Sequence, residues 1–229
     1  MSILRGLGFL TATVLLYLGV PLLGWGLGDV GGFLISGPRA AYAVIVALFG
    51  TAAGYQGITA PEGIRGGRGQ RGKLVPRQTI VRAVVVCLLY LALFLLPFAD
   101  RRGLAVMAEG QAVRWIGATL LGLGCGLIFW SGLSLGRQYS PEVTIQENHR
   151  LITGGAYRYV RHPRYLGAIA FAFGLPLLFR SWVGLAVSPI LLATILFRIR
   201  DEEALMRTEF GLEWERYSQH TWRLIPFLF

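Results

Sequence analysis

Charge is what this sequence has least of. Only 15% of its 229 residues are Asp, Glu, Lys or Arg, while 54% are hydrophobic and the mean hydropathy is +0.56. A soluble domain carries about 25% charged residues, so lipid rather than water is the expected solvent for much of this surface. Acidic groups are scarcest, 12 against 22 Lys and Arg. Cysteine is nearly absent: Cys87 and Cys125 each fall inside an apolar run, which leaves neither a disulfide framework nor a metal-ligand set to expect. No internal repeat is evident.

Apolar length is abundant. Residues 3–25, 40–58, 80–98 and 112–135 each approach the roughly 20 residues that an α-helix needs to cross a hydrocarbon core. Arg5 precedes the first run as in a signal peptide, but the run is too long and lacks a small-residue cleavage site, so a membrane helix is expected. Two shorter runs, 166–179 and 182–197, contain Pro176 and Pro189 and are joined by Arg180 and Ser181. They predict a hairpin of tilted or kinked segments that returns the chain to the side it left. The expected fold is all-α and polytopic, with about six hydrophobic segments: residues 1–135 form the substrate path, residues 136–229 the catalytic region.

The net charge of +10 suggests nucleic acid only until its placement is considered. Lys and Arg alternate between loops, 17 on one side and 5 (Arg39, Arg101, Arg102, Arg114, Arg180) on the other. The positive-inside rule puts both termini and the two basic loops in the cytoplasm, against anionic lipid headgroups. The Gly/Arg-rich loop 60–78 fits lipid contact better than RNA binding beside two membrane helices. Gly117, Gly122, Gly124, Gly126 and Gly132 offer the fourth helix small positions for close packing. Residues 201–219 read as helical, and the apolar groups from Trp222 onward suit docking at the interface.

Chemistry-bearing residues concentrate in two places. Tyr157, Arg158, Tyr159, Arg161, His162, Arg164 and Tyr165 crowd the point where the loop 136–164 re-enters the membrane, where ionisable groups are costly unless partnered or useful. As snorkelling anchors, Arg158 and Arg164 need no partner; His162, ahead of Pro163, is biased away from the α region and so fixed in place. The second cluster is Arg198-Ile-Arg-Asp-Glu202-Glu203, with Arg198 and Glu202 at i and i+4 on one helix face. An intrahelical ion pair would account for that spacing. So would an amphoteric ligand, because a carboxylate accepts from hydroxyls or an ammonium and Arg forks onto a carboxylate.

The stretch His149-Arg-Leu-Ile-Thr-Gly-Gly-Ala-Tyr157-Arg-Tyr-Val-Arg161-His162-Pro163-Arg-Tyr165-Leu-Gly167, then Arg198…Glu202-Glu203 and Phe210-Gly-Leu-Glu-Trp-Glu-Arg-Tyr217…Ile225-Pro226, resembles the isoprenylcysteine carboxyl methyltransferase family and its phospholipid methyltransferase relatives. The likeness covers roughly the last ninety residues, in order. It implies S-adenosylmethionine as cofactor, bound on the cytoplasmic side, and a lipid-like acceptor entering from the bilayer. It further implies that Gln146, His149, Arg150, Leu151, Ile152, Tyr157, His162, Pro163, Arg164 and Tyr165 line the cofactor pocket. Glu202 would contact the cofactor and Arg198 the acceptor, the pair forming the catalytic set. The acceptor could be a prenylated cysteine carboxylate, a phospholipid amine, or a smaller thiol or acid. No metal is required. Membrane sterol reductases, which use NADPH, are similar through Arg161–Gly167 and Arg200–Glu202, but the Glu202-Glu203 pair and the stretch 149–153 fit the methyltransferase pattern better. A non-catalytic membrane protein of the same architecture is the remaining reading.

Overall fold

The computed structural model describes residues 2–59, 76–108, 110–136 and 150–227. Among them every regular element is helical, and the only pairings of extended backbone are two isolated bridges. The first apolar run folds as α1 (Ser2–Val14), a π-helical turn (Leu15–Gly19) and α2 (Val20–Trp25). Pro21 explains the break in register. It has no N–H to give the carbonyl four residues earlier, that of Tyr17, and the Tyr42 hydroxyl donates to that carbonyl instead. A short α3 (Val30–Ile35), not anticipated from the sequence, follows, with the Asp29 carboxylate accepting from the Gly32 N–H at 2.9 Å as its cap.

Among the described residues the further α-helices are α4 (Gly37–Thr59), α5 (Pro76–Arg102), α6 (Gln111–Leu135), α7 (Pro163–Leu178), α8 (Trp182–Phe210) and α9 (Leu212–Gln219). Among the described residues, five stretches are long and apolar enough to span: Ile3–Trp25, Gly37–Thr59, Ala83–Arg102, Gln111–Leu135 and Trp182–Phe210. They include the four spans expected and the second arm of the hairpin. The first arm, α7, has 16 residues; at 1.5 Å per residue it covers about 24 Å, short of a core of about 30 Å. The hairpin turns at Arg180, whose φ is +52°, and the Ser181 side chain caps α8 by accepting from the Gly184 N–H. Residues 201–219 are not one helix, because Gly211 at φ +48° ends α8 and starts α9.

The α6–α7 pair is the most extensive helix contact, and α1 with α4, α2 with α5, and α4 with α6 pack around it. Glycine makes the α6–α7 approach possible. A Cβ on Gly124 would lie 2.6 Å from the Gly167 carbonyl oxygen, and one on Gly117 only 2.3 Å from the Leu178 nitrogen. Gly122 and Gly132 instead face Ile45 and Gln56 of α4, and Gly126 faces open space, so it is not a packing position. Gly124→Leu is expected to force α6 and α7 apart, which displaces the start of α7 and lowers both thermal stability and ligand affinity. Pulse proteolysis in detergent reads the first and calorimetry the second.

One end of the bundle closes on a buried carboxylate. Asp100 near the end of α5, its side chain inaccessible to solvent, takes a two-pronged contact from Arg114 of α6 (2.7 and 2.8 Å). It also accepts from Arg180 Nε and Nη2 (3.1 and 3.0 Å) and lies 3.5 Å from Arg39 Nη1. Arg114 further donates to the Leu178 carbonyl, and Arg39 to the carbonyls of Gly32 and Phe33 while stacking over Trp25. Three of the five cations counted on the sparse side of the membrane are thus interior groups. They tie α3, α4, α5, α6 and the hairpin turn to one acid.

Candidate active site

The sequence-derived site lies at the opposite end of α6 and α7. Ser131 and Ser134 finish α6, and the Ser134 hydroxyl accepts from the Ala156 N–H at 3.1 Å, holding the 3-10 turn Gly155–Arg158 against the helix end. Ser131 is fully buried and donates to the Ile128 carbonyl at 2.9 Å, and Tyr157 on the turn is half-buried. Its carbonyl accepts from the Tyr217 hydroxyl at 2.7 Å. Burial raises the Tyr157 phenol well above its usual range and pushes Tyr217 up to about 12. Both are therefore neutral hydrogen-bonding groups near neutral pH, not bases.

His162 stands at the cap position of α7 with φ −126°, and Pro163 opens the helix, where a missing N–H costs nothing. The imidazole is buried, with Nε2 3.2 Å from Glu203 Oε1. Arg161 Nε donates to the same oxygen at 3.2 Å, and Arg223 Nη2 meets Glu203 Oε2 at 2.7 Å. Arg161 also donates to the carbonyls of Ser218 (2.7 Å) and Thr221. The main chain adds a bridge between Val160 and Trp222: Arg161 N–H to the Trp222 carbonyl, 2.8 Å, and Trp222 N–H to that of Tyr159, 3.1 Å. Glu203 is thus the latch that fastens the tail across the loop before α7. Glu203→Gln removes the charge to which the Arg161 and Arg223 guanidiniums and the His162 imidazole all turn. It is expected to speed tryptic cleavage of the tail by on the order of tenfold with helix content unchanged, the opening that follows a loss of about 1–2 kcal/mol.

Glu202 points elsewhere. The Tyr165 hydroxyl donates to Glu202 Oε2 at 2.7 Å and accepts from Arg198 Nε at 2.8 Å, so the two groups of the expected catalytic pair are joined through a phenol. Arg164 is half-buried in the first turn of α7. Arg158 is exposed, as an anchor would be. Pro163 is buried, Leu151 and Ile152 are half-buried on an irregular segment, and Arg150 is exposed at its start. Gln146 and His149 lie outside the described residues. Arg161, Glu203, Tyr217 and Arg223 were not on the expected list. A signal for Glu203 existed: adjacent residues on a helix point about 100° apart, so Glu202 and Glu203 turn to different surroundings.

These helices make an integral, multi-pass, all-helical membrane protein. Over 99% of its length, and 97% of the other chain's, it superimposes with a TM-score of 0.51 on a solved structure described as the eukaryotic intramembrane Ras methyltransferase, isoprenylcysteine carboxyl methyltransferase. At 18% identity that likeness establishes the fold. Residues 116–208 match the model of the isoprenylcysteine carboxyl methyltransferase family, so the resemblance carried by the C-terminal motifs stands. A probable protein-S-isoprenylcysteine O-methyltransferase of Oryza sativa subsp. indica is 29% identical over 125 residues, 53% of this chain and 65% of the relative. The protein-S-isoprenylcysteine O-methyltransferase of Schizosaccharomyces pombe is 35% identical over 100 residues, 41% of each chain. The matched region thus spans less than two thirds of these relatives.

Proposed function

We propose that this chain is an S-adenosylmethionine-dependent methyltransferase that esterifies the carboxylate of an isoprenylated cysteine or a close lipid-like equivalent. The observation that carries the reading is the Arg198–Tyr165–Glu202 chain of hydrogen bonds, assembled inside the segment that matches the family model. The names of the relatives favour a prenylated cysteine acceptor over a phospholipid amine.

The donor set suits an amphoteric cofactor. Glu202 supplies a carboxylate for hydroxyls or an ammonium, and the neutral phenols Tyr157 and Tyr165 flank it without adding charge. Once bound, S-adenosylmethionine supplies an electrophilic methyl on a sulfonium. Arg198 holds the acceptor carboxylate through its fork, which aligns one oxygen for in-line attack. Transfer of that methyl to the oxygen would give a methyl ester and a neutral thioether, with no proton to be moved by the residues around it. His162, engaged by Glu203, therefore serves as structure at the helix cap rather than as a base. The packed α6–α7 interface keeps water from one wall of the site. In the same reading the site and both termini face the cytoplasm, where the basic loops meet anionic lipid.

The test is transfer of labelled methyl to N-blocked S-farnesylcysteine by the purified protein in nanodiscs. Base-labile label in the organic phase is the expected result. Absence of transfer to that acceptor, with transfer to phosphatidylethanolamine, would replace the carboxylate reading by amine methylation.

A further inference from the structure

Bond chemistry fixes the roles within the Arg198–Tyr165–Glu202 chain. A guanidinium only donates and a carboxylate only accepts, so the single phenolic proton of Tyr165 must go to Glu202 Oε2 and its oxygen must receive Arg198 Nε–H. The contact uses Nε, the nitrogen that an Nη–Nη fork on a carboxylate does not require. Arg198 and Glu202 sit four residues apart on α8, and one hydroxyl from α7 bonds to both. The Tyr165 ring is itself held, 5.7 Å between centroids from the buried His162, whose position is set by Glu203.

Taking the functional reading above as its basis, we propose that the Tyr165 hydroxyl is a positioning group that ties the orientation of the acceptor-side Arg198 to the cofactor-side Glu202. Consecutive hydrogen bonds polarise one another: the more strongly the phenol donates to Glu202, the better its oxygen holds Arg198. The guanidinium is thereby held at Nε from a second helix. The hydroxyl contributes alignment, and Arg198 contributes the contact with the acceptor.

Tyr165→Phe deletes the hydroxyl and keeps the ring, so packing against His162 survives. With N-blocked S-farnesylcysteine as acceptor, kcat is expected to fall about tenfold, the cost of a lost positioning contact. The acceptor KM and the Kd for S-adenosylhomocysteine should stay within about twofold. In an Arg198→Ala background the same change should cost nothing further, because the two act as one unit. An affinity for S-adenosylhomocysteine that drops by the same factor as kcat would make Tyr165 a cofactor-lining group only and overturn the proposal. So would a full tenfold loss on top of Arg198→Ala, or an unchanged kcat. A wild-type protein that neither binds S-adenosylhomocysteine nor methylates fails the functional reading and this proposal together; the other adverse outcomes remove the relay alone.

Discussion

Asp100→Ala is expected to cost about 3–5 kcal/mol of stability, because it leaves three buried guanidiniums facing one another without their carboxylate. For a chain of this size that corresponds to a fall in apparent melting temperature on the order of 10 °C at fixed scan rate. The loss has a specific character. Arg114 and Arg39 keep their bonds to the carbonyls of Leu178, Phe33 and Gly32, so the helices retain partners while the charges repel. A hydrophobic replacement of the whole cluster would not carry the same penalty, since the attraction of such a cluster largely offsets its own desolvation. The Asp100 cluster and the candidate site occupy opposite ends of α6 and α7. Below the melting transition, Asp100→Ala should therefore bind S-adenosylhomocysteine within about threefold of wild type. Equal losses of stability and affinity would show the two ends to be coupled.

Arg198→Ala carries the largest expected effect on turnover, a fall of about 10²–10³ in kcat, the range for removing a group that aligns and neutralises a reacting oxyanion. Arg198→Lys should recover only a small part, because an ammonium lacks the planar fork and cannot be held at Nε by Tyr165 while gripping a carboxylate. S-adenosylhomocysteine affinity should change by less than about threefold in either variant, since Glu202 remains. Single-turnover rates with labelled cofactor separate this from a binding defect.

Much of the fold was legible because spanning helices announce themselves by apolar length, and the hairpin by two shorter runs around Arg180 and Ser181. What escaped were features decided by tertiary partners. Asp100 was unremarkable as the lone acid at the end of an apolar run, and its cations, Arg39, Arg114 and Arg180, are scattered through the chain; only folding brings them to one point. The π-helical turn follows from Pro21, but its tolerance depends on the Tyr42 hydroxyl from another helix. The structure joins Tyr165, Arg198 and Glu202, all residues of the motif, in one chain of hydrogen bonds, with the His162 ring 5.7 Å from that of Tyr165. The division of labour between Glu202 and Glu203 needed the third dimension. One carboxylate turns to Tyr165 and the other to Arg161, His162 and Arg223, and Arg223 belongs to a tail whose pairing with Val160 is long-range.

Calorimetric titration of the wild type and of Glu202→Ala, in nanodiscs, with S-adenosylhomocysteine and separately with NADPH, tests most directly whether this end of the bundle is a cofactor site. Saturable binding of S-adenosylhomocysteine, weakened at least about tenfold by Glu202→Ala through loss of a charge-assisted contact, with no heat from NADPH, is the predicted result. Saturable NADPH binding without S-adenosylhomocysteine binding, or an affinity for the latter untouched by Glu202→Ala, would contradict it.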